Sequence, residues 1–408
     1  MTTEEQISLA IAYGKEMDIR REPSQAFFSA LGICPGQSNL EKFLCLADAA
    51  GTFTNEQVMA CGMFTKRLIA RRSVHDRLIQ GGYLRADGGT IRSFHGGRNK
   101  IYSITPEGHR MAESIRTSSC QIDGRRLSAE GRNKDHNIHI QDTLFQLAPY
   151  WPDGAVWKTE SVQAENVLRP DAVLEMNEVT VYVEEDTGRQ RASVLADKFK
   201  RYRDIYTMPE HATILFTMLE FGSGQRGIGK DEQCIRMMAD AICRGETREK
   251  AIRSAAGILR DEIFRGLDII AVLNRFGGEV LPYLFPGILF HPEQVLESAG
   301  ILKVSHVTGG EMLPCGIHPR CSIYGRGGEC VHVESVSHSI SGALRTLALC
   351  RHPVTLMLLF ETYAEAVVYL GVADIHAYAL LYIYIYAQED RHGLYFYDGV
   401  CLKRIMTD

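Results

Sequence analysis

The sequence lacks any uninterrupted apolar run that could cross a membrane. The nearest candidate, residues 354–370, is interrupted by Glu361 and Glu365, whereas a spanning helix needs about 20 predominantly apolar residues. The chain also starts with polar and acidic residues, from Met1 to Gln6, rather than with the basic and apolar regions of a signal peptide. We therefore expect a cytoplasmic protein without membrane association.

An excess of positive charge and a regular cysteine pattern are missing as well. The 45 Lys and Arg residues are outnumbered by 50 Asp and Glu residues, so the net charge is −5. Any surface that binds nucleic acid must therefore be local. The 11 cysteines are odd in number and scattered, which favours reduced thiols over a disulfide framework. No internal repeat is visible in the sequence.

Two predicted strands carry the most informative acidic residues. Valines alternate with other residues over 179–184, which is the period-2 pattern of a strand. Glu184 and Asp186 are two residues apart, so they project from the same face of an extended chain. Asp171 opens the preceding strand, and a tight hairpin brings it near these acids. Asp171 and Glu184 are therefore predicted to bind a hard divalent cation, Mg²⁺ or Mn²⁺.

Two further residues complete the predicted site. A strand at residues 156–160 ends in Glu160, and either Glu160 or Asp186 could complete the metal shell or orient a water molecule. A basic helix at residues 193–206 carries Lys198, whose ammonium group suits a phosphate. The alternative is that these acids only cap strand ends or pair with neighbouring arginines, as in an inactive scaffold.

Residues 39–116 are predicted to form a winged helix-turn-helix. Three predicted helices precede two strands joined by a Gly-rich loop, and Pro106 suits the first turn of the next helix. The motifs at residues 78–84 and 102–108 closely resemble those of winged-helix regulators. In this interpretation the helix over 64–80 enters the major groove of duplex DNA, and the wing lies against the backbone. The predicted DNA contacts are Lys66, Arg67, Arg71, Arg72, Arg92, Arg98 and Lys100. Alternatively, these residues form a solvated face or the unit contacts another protein.

The order of elements predicts an α/β protein, α+β overall, with several domains, since 408 residues favour two or three. The predicted divisions are N-terminal helices (1–38), the winged helix (39–116), a linker (117–135), a central mixed sheet (136–245) and a C-terminal α/β module (246–408). The C-terminal module is predicted to end in a hairpin.

Taken in order, the motifs resemble a known family. His136-x-x-His139, Glu160, Arg169 to Leu174, Val183 to Gly188 and Lys198-x-x-x-Tyr202 are similar to motifs of the replication-relaxation family of plasmid and mobile-element proteins. The central segment resembles the PD-(D/E)xK nuclease-like fold. The resemblance covers residues 40–245 and implies DNA binding and a role in plasmid or integrative-element replication, relaxation or transfer. The expected partners are double-stranded DNA, other replication or transfer proteins and a second copy of the chain.

The sequence departs from the nuclease pattern at one position. The pattern ends in a lysine two residues after the second acid, where this chain has Asp186. Lys198 could take the place of that lysine. If so, the protein is a metal-dependent endodeoxyribonuclease. If not, it is a non-enzymatic DNA-binding regulator or relaxosome accessory factor with an inactive nuclease scaffold.

Two other motifs carry weaker hypotheses. Residues 224–230 fit the phosphate-binding pattern GxxxxGK, but Asp231 stands where that pattern needs Ser or Thr. Cysteine and histidine cluster over residues 315–332 at spacings that could hold Zn²⁺. The candidate zinc ligands are Cys315, His318, Cys321 and Cys330. Chance clustering is the alternative in a chain with 11 Cys and 14 His.

Overall fold

The structure is a computed structural model that describes separate segments of the chain between residues 22 and 405. The described residues are 22–64, 74–92, 98–124, 134–159, 168–176, 179–186, 190–205, 211–218, 252, 255–273, 306–309, 313–317, 319, 321–324, 328–337, 339–360, 362–372, 379–386 and 391–405.

A three-stranded antiparallel sheet with surrounding helices forms the first part of the fold. The strands lie in the order β1-β3-β2. The elements are α1 (Gln25–Ala30), α2 (Asn39–Ala50), β1 (Thr52–Thr54), α3 (Asn55–Ala60), α4 (His75–Gln80), β2 (Leu84–Arg92), β3 (Arg98–Ile104) and α5 (Pro106–Ile115).

Local sequence explains where these helices begin. Ser38 and Thr54 each form a capping box, in which side chain and backbone at the helix start bond reciprocally. Thr105 caps α5, and Pro106 occupies its first turn as predicted. The predicted helix over 64–80 is observed as α4 from His75, and residues 65–73 lie outside the described chain.

A six-stranded mixed sheet follows, in the order β4-β5-β6-β7-β8-β9. Strands β5, β6 and β7 pair antiparallel, whereas β8 is parallel to β7 and β9 is parallel to β8. The elements are β4 (Ile122–Asp123), α6 (Lys134–Leu147), β5 (Val156–Thr159), β6 (Ala172–Met176), β7 (Val179–Asp186), α7 (Ala192–Ile205), β8 (His211–Met218), α8 (Arg260–Arg265) and β9 (Asp268–Leu273). Strand β4 falls within the segment predicted as a linker, so that segment contributes to the sheet.

A seven-stranded sheet in the order β10 to β16 makes up the C-terminal part. Its central strands β12, β13 and β14 are parallel, and the outer pairs are antiparallel. The elements are β10 (His306–Gly309), β11 (Cys321–Tyr324), β12 (Cys330–Ser335), α9 (Ile340–Leu349), β13 (Thr355–Phe360), α10 (Tyr363–Val372), β14 (Leu380–Ile385), β15 (Gly393–Tyr397) and β16 (Leu402–Arg404). The predicted hairpin is formed by β14 and β15.

One hydrophobic core joins the first two parts of the fold. Its buried side chains extend from Phe27 to Ile270, and the rings of Phe27 and Trp151 meet edge to face with centroids 5.5 Å apart. Gln57 on α3 donates a 2.6 Å hydrogen bond to Asp142 on α6. The boundary predicted between the winged helix and the central sheet therefore does not interrupt the packing.

The predicted α/β class is confirmed as a mixed α/β fold with three sheets. Within the described residues, helices are too short or too polar to span a bilayer.

Candidate active site

Antiparallel pairing of β6 and β7 places Asp171 beside the acidic end of β7. Ala172 lies opposite Val183, so the residue before β6 reaches the position opposite Glu184. The Asp171 carboxylate accepts a 2.8 Å hydrogen bond at Oδ2 from the backbone N–H of Glu185. The predicted proximity of Asp171 to the acids of β7 is therefore confirmed.

Helix α7 supplies two side chains to the buried Glu184 carboxylate. Lys198 Nζ donates a hydrogen bond to Oε2 of Glu184, and the Tyr202 hydroxyl donates to Oε1 at 2.5 Å. Residues four apart lie on the same helix face, and the apolar Leu195 and Phe199 hold that side of α7 against the sheet. Glu184 is fully buried, whereas the Lys198 side chain stays partly exposed, so helix and strand together shield the carboxylate of this ion pair from water.

Burial and neighbouring charges set the ionisation of this pair. Burial raises the pKa of Glu184 to about 7, and the charge of Asp171 adds to the increase, while Lys198 opposes it. Burial alone would lower the pKa of Lys198, but the carboxylates of Glu184 and Asp171 outweigh it and leave that pKa raised. The carboxyl group of Glu184 therefore has a raised pKa although it lies next to a charged ammonium group.

His136 on α6 completes the polar surroundings of Asp171. Its Nε2 lies 3.1 Å from Asp171 Oδ1, and both side chains are partly exposed, by 25% and 17%. Burial would raise the pKa of Asp171, but Lys198 and His136 more than offset this and lower it. Asp171 is therefore an ionised carboxylate that solvent can reach. This is the form needed to bind a cation or to orient a water molecule next to a phosphate.

The other acids of β7 lie on alternate faces. Asp186 is buried on the Glu184 face, and its charge contributes to the raised pKa of Lys198. Glu185 is buried on the opposite face, where the Thr217 hydroxyl of β8 donates to it. The predicted residues Asp171, Glu184, Asp186 and Lys198 are thus gathered at one end of the sheet. Glu160 lies outside the described residues.

The donor set fits a hard cation only in part. Asp171 and Glu184 offer carboxylate oxygens, the ligands that Mg²⁺ and Mn²⁺ prefer. In the described part of the chain, His, Cys, Asp and Glu side chains form no group of three or more that could hold a metal ion. A complete metal shell at Asp171 would therefore need a further ligand, such as Glu160, or water and substrate oxygens.

Of the predicted DNA contacts, two have described side chains. Arg98 and Lys100 lie exposed on β3, and Arg98 donates a 3.3 Å hydrogen bond to Thr90 on β2. Arg92 ends β2 at the position paired with Arg98. Lys66, Arg67, Arg71 and Arg72 lie outside the described residues.

The candidate zinc ligands are only partly described. Cys330 Sγ lies 3.8 Å from His332 Nδ1, and the same nitrogen is 2.8 Å from Ser322 Oγ. Cys315 is exposed, and Cys321 begins β11. His318 and the GxxxxGK segment lie outside the described residues, so both hypotheses stay predictions.

Sequence reasoning missed the roles of Tyr202 and His136 in the site. Both were present in the motifs, at the fourth residue after Lys198 and in the His-x-x-His spacing, but neither spacing shows which acid the side chain contacts.

Part of the chain matches a protein-family model. The curated proteins and the solved structures provide no significant match to the chain. Over residues 48–215, which include Asp171, Glu184 and Lys198, the chain matches the family model described as Replication-relaxation.

Proposed function

We propose that this chain is a DNA-binding protein of a plasmid or mobile element whose six-stranded sheet carries a metal-dependent site for phosphodiester cleavage. The observation that carries the proposal is the contact of Lys198 with Glu184 beside Asp171. Two carboxylates and a lysine are thereby placed together by three different elements. The match to the Replication-relaxation family over the same segment supports a role in replication.

The order of elements around the site supports a nuclease-like assignment. Helix α6 precedes the antiparallel strands β5, β6 and β7, and α7 then crosses to β8, which is parallel to β7. The acids lie at the end of β7, and the helix that follows supplies Lys198. Lys198 on this helix offers the positive charge that the sequence lacks at Asp186.

Phosphodiester cleavage needs positive charge near the phosphate and a base or cation that activates water. A divalent cation held by Asp171 and Glu184 would supply charge opposite the scissile phosphate. Lys198 would turn from Glu184 towards the non-bridging oxygens, where negative charge develops. Tyr202 would keep Glu184 oriented while Lys198 moves. His136 would hold Asp171 in place through its 3.1 Å contact.

The three-stranded sheet and its helices would deliver the DNA. The α2-β1-α3-α4-β2-β3 order supports a winged helix, with β2 and β3 as the wing. Exposed Arg98 and Lys100 lie on that wing, and the basic residues from Lys66 to Arg72 belong to the segment before α4. The shared core described above would fix the orientation of this unit relative to the cleavage site.

Cleavage of supercoiled plasmid in Mg²⁺ or Mn²⁺ tests the proposal. Asp171→Asn plus Glu184→Gln should abolish nicking while leaving duplex binding intact. Glu175→Gln is the matched control, because Glu175 is a partly exposed acid on β6, the strand that follows Asp171, and pairs with Lys158. Cleavage that survives the double substitution would rule out this site.

A second candidate function is DNA binding without cleavage. Both oxygens of Glu184 are occupied by protein donors, Lys198 and Tyr202, as expected for a structural ion pair in an inactive scaffold. Under this alternative the wild-type protein binds duplex DNA but cleaves it with neither metal. Metal-independent binding together with absence of nicking would therefore favour the regulator or relaxosome accessory role.

A further inference from the structure

The C-terminal sheet repeats the strand arrangement of the six-stranded sheet. In the six-stranded sheet, β5, β6 and β7 are antiparallel, and β8 and β9 continue parallel to β7. In the C-terminal sheet, β10, β11 and β12 are antiparallel, and β13 and β14 continue parallel to β12. The spatial order follows the chain order in both.

The helices also occupy matching places. Buried residues of α7 and α8 share one core cluster with β8 and β9. Buried residues of α9 and α10 likewise share one core cluster with β13 and β14. In each unit, therefore, the helices between the parallel strands pack on a single face of the sheet, as same-handed crossovers require.

Residues on the central strands correspond in register. Residues 181–184 of β7 read Val-Tyr-Val-Glu, and residues 331–334 of β12 read Val-His-Val-Glu. Val181 lies opposite Thr213 of β8, and Val331 lies opposite Thr355 of β13. A four-residue likeness is weak alone, but here it coincides with the same strand, the same neighbour and the same pairing.

The acid that ends this motif contacts a cation on the following helix in both units. Glu184 bonds Lys198 in the second turn of α7. Glu334 accepts a 3.0 Å hydrogen bond from Nε of Arg345, in the second turn of α9. Both glutamates are fully buried. The two units therefore correspond in the order of their strands and also in this ion pair.

The two units differ in sequence just before the strand that pairs with the acid's strand. In the first unit Asp171 stands opposite Glu184, as set by the Ala172–Val183 pairing. In the second, strand β11 begins at Cys321, and the residue before it in the sequence is Arg320. The second unit therefore lacks, at the sequence position that corresponds to Asp171, the second carboxylate that a metal site would need.

Arg345 instead connects the two sheets. Its Nη2 lies 3.1 Å from Asp268 Oδ1 at the start of β9, and Ser341 of α9 accepts a 3.0 Å bond from the Ile269 N–H. Arg345 and Glu334 are 2% and 0% exposed. Such a pair is strongly destabilising to break, because the remaining charge stays buried.

We propose that the C-terminal sheet is a degenerate second copy of the nuclease-like unit, in which the cation–acid pair has become a clamp that fastens it to β9 of the first copy. The topology and the clamp do not depend on whether the first copy cleaves DNA. The test therefore uses stability as its main readout, so that failure of cleavage and failure of this proposal are separate results.

The full-length chain with Arg345→Met should lose roughly 5 °C or more in melting temperature. Arg345→Lys keeps the charge but not the simultaneous hydrogen bonds of the guanidinium group to Glu334 and Asp268. The melting temperature of this variant should therefore fall less. In both variants duplex binding, and plasmid cleavage where the wild type shows it, should be unchanged per folded molecule. The equivalent variant Lys198→Met should differ in function, with cleavage lost per folded molecule, and its melting temperature should also fall because it too leaves a buried glutamate without its cation.

Two results would overturn the proposal. An unchanged melting temperature in Arg345→Met would show that the residue is no clamp. Loss of cleavage in Arg345→Lys with a wild-type melting temperature would show that the second unit is an active site. If Arg345→Met does not fold while Arg345→Lys folds and retains function, the clamp is supported.

Discussion

Lys198 donates a hydrogen bond to Glu184 from the helix that follows the acid's own strand. Glu184 is fully buried, whereas the Lys198 side chain keeps 19% of its surface exposed. The Lys198 side chain therefore lies between a buried acid and solvent. Under the proposed function, this position would let its ammonium group turn from Glu184 towards a phosphate oxygen.

Replacing Lys198 by Met should reduce plasmid nicking by about 10²–10³-fold, because a preorganised donor to the phosphate oxygens is lost. The rate of conversion of supercoiled to open circular plasmid measures this effect. Lys200→Met is the matched control, since Lys200 lies exposed on the same helix and pairs with Asp197. Equal loss in both variants would mean that Lys198 contributes only general positive charge.

Replacing His136 by Ala should reduce cleavage by roughly 10–100-fold and raise the Mg²⁺ concentration required, because groups that orient a metal ligand have effects of this size. The physical reason is the contact between His136 Nε2 and Asp171 Oδ1. A titration of nicking rate against Mg²⁺ concentration separates the lower cleavage rate from the higher Mg²⁺ requirement.

His136→Gln should recover part of the loss, since its side-chain amide can still donate to Asp171. A rate that is reduced at all Mg²⁺ concentrations and is not rescued by Gln would contradict a positioning role. His136 would then act on the substrate directly.

Sequence alone predicted much of the site because its main parts are local. The alternating valines predicted strand β7. The short connection between β6 and β7 predicted that Asp171 lies next to the acids of β7. The apolar residues Leu195, Phe199 and Tyr202 predicted the buried face of α7, whereas Lys198 entered the predicted site as a replacement for the lysine missing from the nuclease-like pattern.

Contacts between distant elements could not be predicted in this way. His136 reaches Asp171 across 35 residues, and that contact depends on how α6 packs on the sheet. The repeated strand arrangement was also hidden, because buried strands tolerate many apolar residues at each position. Both units contain Val-x-Val-Glu, and the strand register shows that its residues occupy equivalent positions in the two sheets.

Removing Arg98 and Lys100 together should weaken duplex binding and reduce the slope of log affinity against log salt by about 2, one for each phosphate contact. Both side chains are exposed on β3, so their loss should not alter folding. Binding isotherms at several salt concentrations provide the measurement. Arg110→Ala is the control, because this exposed arginine pairs with Glu107 on α5. An unchanged salt slope would assign the wing to protein contacts instead.

Replacing His75 by Leu should stabilise the protein below neutral pH. His75 is buried among the rings of Phe43, Phe53 and Tyr102, and its ring nitrogens have no hydrogen-bond partner among the described residues. Burial lowers the pKa of His75 from 6.5 to about 4. The folded protein therefore favours the neutral form of the His75 ring.

The direction of the pH effect follows from proton uptake. Between pH 6.5 and 4 the unfolded chain protonates His75 whereas the folded protein does not, so stability falls as pH falls. The loss from this residue approaches roughly 3 kcal/mol at pH 4, and His75→Leu should remove it. Denaturant unfolding at pH 7.5 and 5 measures the difference, with His352→Leu, a partly buried histidine in the turn after α9, as control. A stability gain that is the same at both pH values would show that desolvation of the ring, rather than its protonation, is what the leucine relieves.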